Sequence, residues 1–235
     1  MPTLRVISIG ALAAHPLWNE RDAARTGHAT TTLIESTEPG SDAPVRLLVD
    51  PGLPGPALLA RLRERANLGP EQITHVFLTG FEPERRRAIA AFDRARWLIS
   101  GAEREAVGVP LAQGLKRLAE NFESPDEEVE AILRSDVAVL QRCEAAPDTL
   151  AEGVDLFPLP GVSAGCCGLL LSGRETTLVC GDAIPTIEHL EQGKVLPSAD
   201  DAERAQESFR EAVEIADVLV LGRDNLVVNP LRKMF

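Results

Sequence analysis

The sequence predicts an α/β fold of two similar halves, with two sheets packed face to face and helices outside. Three observations carry this. First, β-rich apolar runs precede helical segments in both halves: Leu4–Ile9, Thr30–Ser36, Val45–Asp50 and Ile73–Thr79, then Asp155–Leu159, Cys167–Ser172, Thr176–Cys180 and Val218–Leu221. Second, the helices are one-sided. Leu58, Leu59, Leu62 and Ala66 share a face of Pro56–Asn67, and Ala202, Ala205, Phe209, Ala212, Val213 and Ala216 share a face of the clearest helix. Third, strands end in Asp50-Pro51-Gly52, Gly80-Phe81, Gly181-Asp182-Ala183 and Gly222-Arg223-Asp224-Asn225. In α/β folds, ligand sites gather at the carboxyl ends of strands.

The remaining elements follow in order. An irregular polar loop runs from the first strand to Gly27, and Thr37–Pro44 is a turn-rich link between two paired strands. Asn67–Pro70 stops the first helix. The stretch ITHVFLTGFEPERRR (Ile73–Arg87) is the centre of the chain: a buried strand, a turn, then Pro83 at a helix start between Glu82 and Glu84. Arg96–Ser100 reads as a short strand. Ala102–Arg134, with acidic Asn121–Glu130, reads as an insertion of two or three helices on the outside of the domain. Val137–Gln141 returns to strand character, and Gly161–Gly165 is a loop. Pro185–Gln192 is a short helix closed by Gly193, placing His189 on its surface; Ser198, with Asp201 three residues on, caps the last helix.

Composition narrows the function. At 235 residues the chain can bury a full core as one domain, residues 1–235. Lys+Arg 24 against Asp+Glu 36 gives a net charge of −12, a poor match to nucleic acid or an anionic membrane. No apolar run is long enough to span a bilayer. The start lacks a basic n-region and does not read as a signal peptide. Cys143, Cys166, Cys167 and Cys180 show neither C-x-x-C spacing nor a disulfide-dense pattern, and a cytoplasmic protein with reduced thiols is the expectation. There is no Gly-x-Gly-x-x-Gly after a strand, no P-loop Lys-Ser/Thr and no Gly-x-Ser-x-Gly elbow. Ser163 lies in the Gly161–Gly165 loop without an evident histidine partner.

Several landmarks occur in a recognisable order. ITHVFLT before a turn, LLVDPG, PLPGVSAG, LVCGDA and VLVLGRDN together resemble the metallo-β-lactamase superfamily, over nearly everything except Ala102–Arg134. The resemblance implies an αββα sandwich, which usually holds one or two metal ions between its sheets. It also implies metal ligands at positions that here hold Gly80, Glu82, Glu84, Arg85, Val162, Asp182 and Arg223. Only Asp182 keeps the family's residue, and His75 matches a family histidine that lies within the strand and binds no metal. Zinc wants about four nitrogen, sulfur or carboxylate ligands, and this set does not supply them.

A carboxylate held at a sheet end needs a cation when buried, and a guanidinium can fork onto it. The leading expectation is therefore that arginine replaces metal: Arg223, with Arg85, pairs with Asp182, in a non-catalytic protein or one binding a small anionic ligand, with no cofactor. Against it stands a plainer reading, in which Glu82 and Glu84 only suit the helix dipole and Arg85–Arg87 are a solvated face. The alternative function is an active hydrolase with a rebuilt Mg²⁺ or Mn²⁺ site from Glu82, Glu84, Asp182 and Asp224. Asp50 and His28 are candidate supports behind the site. Cys180, two residues before Asp182, is expected on the same side of its strand, and with Cys166 and Cys167 it raises the idea of a reactive thiol beside packing. Leu111, Leu115, Leu118 and Ile132 give the insertion an apolar side that covers the core or forms a homodimer surface.

Overall fold

The computed structural model describes residues 1–120 and 127–232. Two six-stranded sheets face each other. The first carries β1 (Thr3–Ser8), β2 (Thr31–Thr37), β3 (Pro44–Val49), β4 (His75–Leu78), β5 (Arg96–Ile99) and β6 (Glu144–Ala145) in that spatial order. Its first three strands are antiparallel neighbours, and β3 to β6 run parallel. The second is ordered β12-β11-β10-β9-β8-β7, from β7 (Thr149–Ala151), β8 (Val154–Pro158), β9 (Cys167–Leu171), β10 (Thr177–Val179), β11 (Val218–Val220) and β12 (Leu226–Val228). Only its β10–β11 pair is parallel.

The two-residue period of a strand explains why these runs are apolar throughout. In β4, Phe77 points between the sheets, while Val76 and Leu78 pack under the outer helices. In β11, Val220 points inward and Leu219 outward. Three apolar clusters result, one between the sheets and one outside each. The outer layers are α1 (Gly55–Ala66), α2 (Pro83–Arg86), α3 (Gly101–Glu120) and α4 (Glu127–Arg142) beside the first sheet, and α5 (Ile187–Gln192) and α6 (Ala202–Ile215) beside the second. The architecture is the αββα sandwich expected from sequence.

The structure corrects several local expectations. Val137–Gln141 is not a strand but the last part of α4, and Leu140 packs into the outer core of the first sheet. The segment expected as an insertion forms α3 and α4, which reach from Gly101 to Arg142; part of the acidic Asn121–Glu130 stretch lies outside the described residues. Leu111 packs toward the core, whereas Ile132 is exposed. Asp201, not Ser198, caps α6, its Oδ1 accepting from Arg204 N at 2.9 Å. The short strands β6 and β12 have too little pattern to stand out in sequence. No helix among the described residues is long and apolar enough to cross a membrane.

Candidate functional site

The site is built where strands of both sheets end. Asp50 follows β3 in the left-handed region (φ 48°), with its carbonyl oxygen held by Thr31 Oγ1 at 2.6 Å. That conformation is uncommon for a non-glycine residue, and Asp is among those that tolerate it. Asp50's carboxylate meets the end of β4, accepting from Thr79 N at 2.9 Å and Thr79 Oγ1 at 2.6 Å. From there the chain turns through Gly80-Phe81 into α2, with Pro83 in its first turn, which delivers Glu84 and Arg85. Asp182 lies in a 3₁₀ turn (Gly181–Ala183) after β10, and Arg223 follows β11.

Arg85 is the hub. It has 0% exposure, yet each guanidinium nitrogen has a polar partner. Nη1 donates to Asp50 Oδ2 at 3.0 Å and Thr79 Oγ1 at 2.7 Å, Nε to Glu82 Oε2 at 2.7 Å, and Nη2 lies 2.6 Å from Asp182 Oδ2. Arg223, 6% exposed, approaches Asp182 from the other side. Its Nε is 2.9 Å from Oδ1, its Nη2 is 2.8 Å from Oδ2, and its Nη1 pairs with Glu84. The fork geometry is the one guanidinium groups favour with carboxylates. Burial alone would push Asp182 up, but Arg223 and Arg85 outweigh it and hold its carboxyl far below the usual carboxylate range. At Asp50 burial prevails over Arg85 and Thr79, and the value is raised. Burial works against both arginines, yet their carboxylate partners hold Arg85 well above its ordinary value and raise Arg223.

Two glycines permit this packing. A Cβ on Gly80 would lie 2.7 Å from Glu82 Oε2 and 3.1 Å from Arg85 Nε, so the ion pair occupies the space a larger residue's side chain would enter. A Cβ on Gly222 would lie 2.3 Å from Gly181 O and 2.7 Å from Asp182 Oδ1.

The structure thus brings together Asp50, Glu82, Glu84, Arg85, Asp182 and Arg223. Asp50 does more than support: it is a direct partner of Arg85. His28 does not join them, since its ring nitrogens face Thr26 O at 3.2 Å and Ile9 O at 3.1 Å. Asp224 also stays apart, its Oδ2 accepting from Ile187 N at 3.2 Å and its Oδ1 from Asn225 N at 2.7 Å. The view of Arg85 and Arg86 as a solvated face does not hold: Arg86 is buried against Phe81, donates to Phe81 O at 2.7 Å, and pairs with Asp136 of α4 at 2.7 Å.

The remaining candidates are also placed. Cys180 does not share a face with Asp182: β10 has ended, and Cys180 packs into the outer core, where burial pushes its thiol up. Cys166 is buried beside Arg85 and Cys167 lies between the sheets; burial raises both, Cys167 to about 12. None of these is an activated thiol. His189 is not on a surface; it is fully buried, with Nδ1 2.9 Å from Thr186 Oγ1, and His15 reaches the same hydroxyl at 3.2 Å.

Beside the hub opens a cleft of about 580 Å³, lined by Leu12, Ala13, Glu20, Glu82, Glu84, Val162, Ser163, Asp182, Leu196, Asp200 and Arg223, among others. Sequence reasoning missed one residue at its edge. Glu103, 1% exposed, accepts from Phe81 N at 3.2 Å, Gly165 N at 3.1 Å and Ser163 Oγ at 2.7 Å. Its signal was available: Ser100-x-x-Glu103 after β5 has capping-box spacing, and Ser100 Oγ does accept from Glu103 N at 3.0 Å.

The donor set does not fit a metal. Gly80 and Val162 offer no ligating side chain, and guanidinium groups stand among the carboxylates. Among the described residues, no three His, Cys, Asp or Glu side chains converge to hold an ion.

An αββα sandwich with a polar site at the facing strand ends defines a class whose members include metal-dependent hydrolases. The chain belongs to the metallo-beta-lactamase superfamily, whose family model matches residues 27–222. It is similar to a Thermotoga maritima protein provisionally named a metallo-beta-lactamase, at 16% identity and TM-score 0.65, covering 97% of this chain and 99% of that one. A Staphylococcus aureus protein provisionally named a metal-dependent hydrolase matches at 14% identity and TM-score 0.66, covering 100% and 98%. AidC, a dizinc quorum-quenching lactonase, matches at 18% identity and TM-score 0.59, covering 79% and 67%. At these identities the likeness concerns the fold. A search among curated sequences found no significant match.

Proposed function

We propose that in this chain tethered guanidinium charge has taken the place of the superfamily's metal, that metal-dependent hydrolysis is lost, and that the cleft binds a small molecule. One observation carries the reading: Arg85, without solvent exposure, contacts Asp50, Glu82 and Asp182 at once. Together with Arg223 on Asp182 and Glu84, it brings to these carboxylates the two positive charges that one divalent ion would carry. On this reading the ligand-motif positions are degenerate and the protein is a pseudoenzyme with respect to zinc chemistry.

The ligand's charge follows from the same contacts. Four carboxylates against two guanidinium groups leave two negative charges, and every guanidinium nitrogen is already engaged. A small anionic group therefore binds only by exchange, displacing the 32%-exposed Glu84 side chain from Arg223 Nη1.

The second reading, an active hydrolase with Mg²⁺ or Mn²⁺ on carboxylates, draws support from Glu82 and Glu84, whose side chains are 40% and 32% exposed beside Asp182. Elemental analysis of protein purified without chelator, then supplemented with Mg²⁺, Mn²⁺ or Zn²⁺, separates the two. We expect under about a tenth of an equivalent of bound metal, and no metal-stimulated turnover on lactone, phosphodiester and thioester substrates. Stoichiometric metal with stimulated turnover overturns the first reading.

A further inference from the structure

We propose that Ser163 is an acyl-accepting nucleophile with Glu103 as its base, giving the cleft a metal-independent reaction on uncharged or cationic esters of short apolar acids. This goes beyond the metal-free reading, which concerns the neighbouring guanidinium hub.

The argument starts from an asymmetry between two buried carboxylates. Asp182 is neutralised by Arg85 and Arg223. Glu103, equally buried, has no cation in contact among the described residues. Its oxygens are held by the N–H groups of Phe81 and Gly165, and its Oε2 takes the Ser163 hydroxyl proton in a 2.7 Å hydrogen bond. Burial raises Glu103, and the nearby charge of Glu82 adds to this. A carboxylate without a counter-ion is a stronger base than a paired one. Nucleophile and base within hydrogen-bond reach, with the base fixed by other groups, is the arrangement that activates a hydroxyl.

Ser163 also faces somewhere a substrate can go. It lines the 580 Å³ cleft, whose Leu12, Ala13, Leu196 and Pro197 supply an apolar wall, while Glu20, Glu82, Glu84 and Asp200 disfavour anionic substrates. The loop's Gly161 and Cys166 N–H groups bond Ser163 O. Those of Val162, Ser163 and Ala164 have no protein acceptor among the described residues, which leaves them free to donate to an oxyanion formed beside Ser163. Ser163 Oγ attacks the ester carbonyl carbon as its proton passes to Glu103. Collapse expels the alcohol, which takes that proton and leaves an acyl-serine. Water then adds to the acyl group, giving a proton to Glu103; the acid departs as Ser163 Oγ takes that proton back. The sum is ester plus water to acid plus alcohol.

The test uses the full chain in EDTA, with an alkyl fluorophosphonate and p-nitrophenyl butyrate as probes, read by intact mass, peptide mapping and nitrophenol release. We expect one phosphonyl adduct, on Ser163, together with EDTA-insensitive release. Ser163→Ala abolishes both, and Glu103→Gln, confirmed as folded by circular dichroism although its amide nitrogen faces one of the two N–H groups, slows both at least tenfold. Absence of an adduct on Ser163 in the native chain overturns the proposal without any variant. So does labelling at an unchanged rate in folded Glu103→Gln. EDTA-sensitive release that survives in Ser163→Ala counts against this proposal and against the metal-free reading, whereas no adduct with no bound metal overturns this proposal alone.

Discussion

Replacing Arg85 with methionine removes the cation that Asp50, Glu82 and Asp182 share. Methionine roughly fills the space of the stem, so lost packing is a small part of the effect. What remains is Asp50 with only Thr79's hydrogen bonds and Asp182 with only Arg223, both nearly without exposure. Breaking a buried ion pair from one side costs about 3–5 kcal/mol. For a chain of this size that corresponds to a midpoint lower by about 6–20 °C at neutral pH. The sign of the pH dependence is specific. In the native chain the depressed Asp182 contributes stability above its unfolded value, lost as pH falls below about 4. In the variant Asp50 has lost its cation, so its folded value rises further and protonation relieves the defect. The destabilisation is therefore largest at pH 7 and shrinks toward pH 4. Arg85→Lys, a point charge without the fork, falls between the two. Urea unfolding of the three proteins at pH 7 and pH 4.5 measures this. A methionine variant that loses less than about 1 kcal/mol at pH 7, or whose loss does not shrink on acidification, refutes the hub.

Other outcomes follow from the same contacts. Glu84→Gln weakens the hold on Arg223 Nη1, and sulfate or acetate then raises the variant's midpoint more than the native chain's; equal shifts count against anion exchange at that nitrogen. His189 is held by burial at about 4, below its ordinary 6.5, so its contribution to stability is complete above 6.5 and lost between 6.5 and about 4. That loss amounts to about 3 kcal/mol at most, and a His189→Gln variant whose unfolding free energy falls as steeply over this range refutes it. Glu103→Ala strands the N–H groups of Phe81 and Gly165 and is expected to cost about 2–4 kcal/mol in chemical unfolding, whereas a neutral effect means water replaces the carboxylate.

The fold was legible because its strands are buried on both faces and its landmark turns are spelled by glycine and aspartate. Period-two burial turns β3, β4 and β11 into continuous apolar runs, which stand out against one-sided α1 and α6. Where that logic weakens, the reading failed. Val137–Gln141 is β-rich in composition, yet only Leu140 is buried, as befits a half-exposed helix. His189 follows a helical pattern too short to orient, and only Thr186 and His15, distant in sequence from each other, reveal its burial. At the site, residue types pointed to Arg223 and Asp182, since charge that has lost its metal must find another partner. The same argument did not place Asp50 against Arg85, because that contact depends on Asp50's left-handed backbone and the path of α2. Asp224 has the right chemistry and the wrong direction, which spacing alone does not tell.

A divalent ion and a guanidinium group solve the same electrostatic problem with different consequences. The ion dissociates, polarises bound water and leaves open coordination positions. The guanidinium is covalently tethered, donates in fixed directions and has no open position when each nitrogen is engaged, as in Arg85 and Arg223. Such a substitution retains the cohesion of the two sheets' facing ends and removes the activated water. It also makes the carboxylates interdependent: Asp182 is shared between two arginines, each of which reaches a further glutamate. Single changes within this group are therefore non-additive, and the Arg85→Met, Arg223→Met double variant is less destabilised than the sum of the singles, because protonating one shared Asp182 relieves both defects.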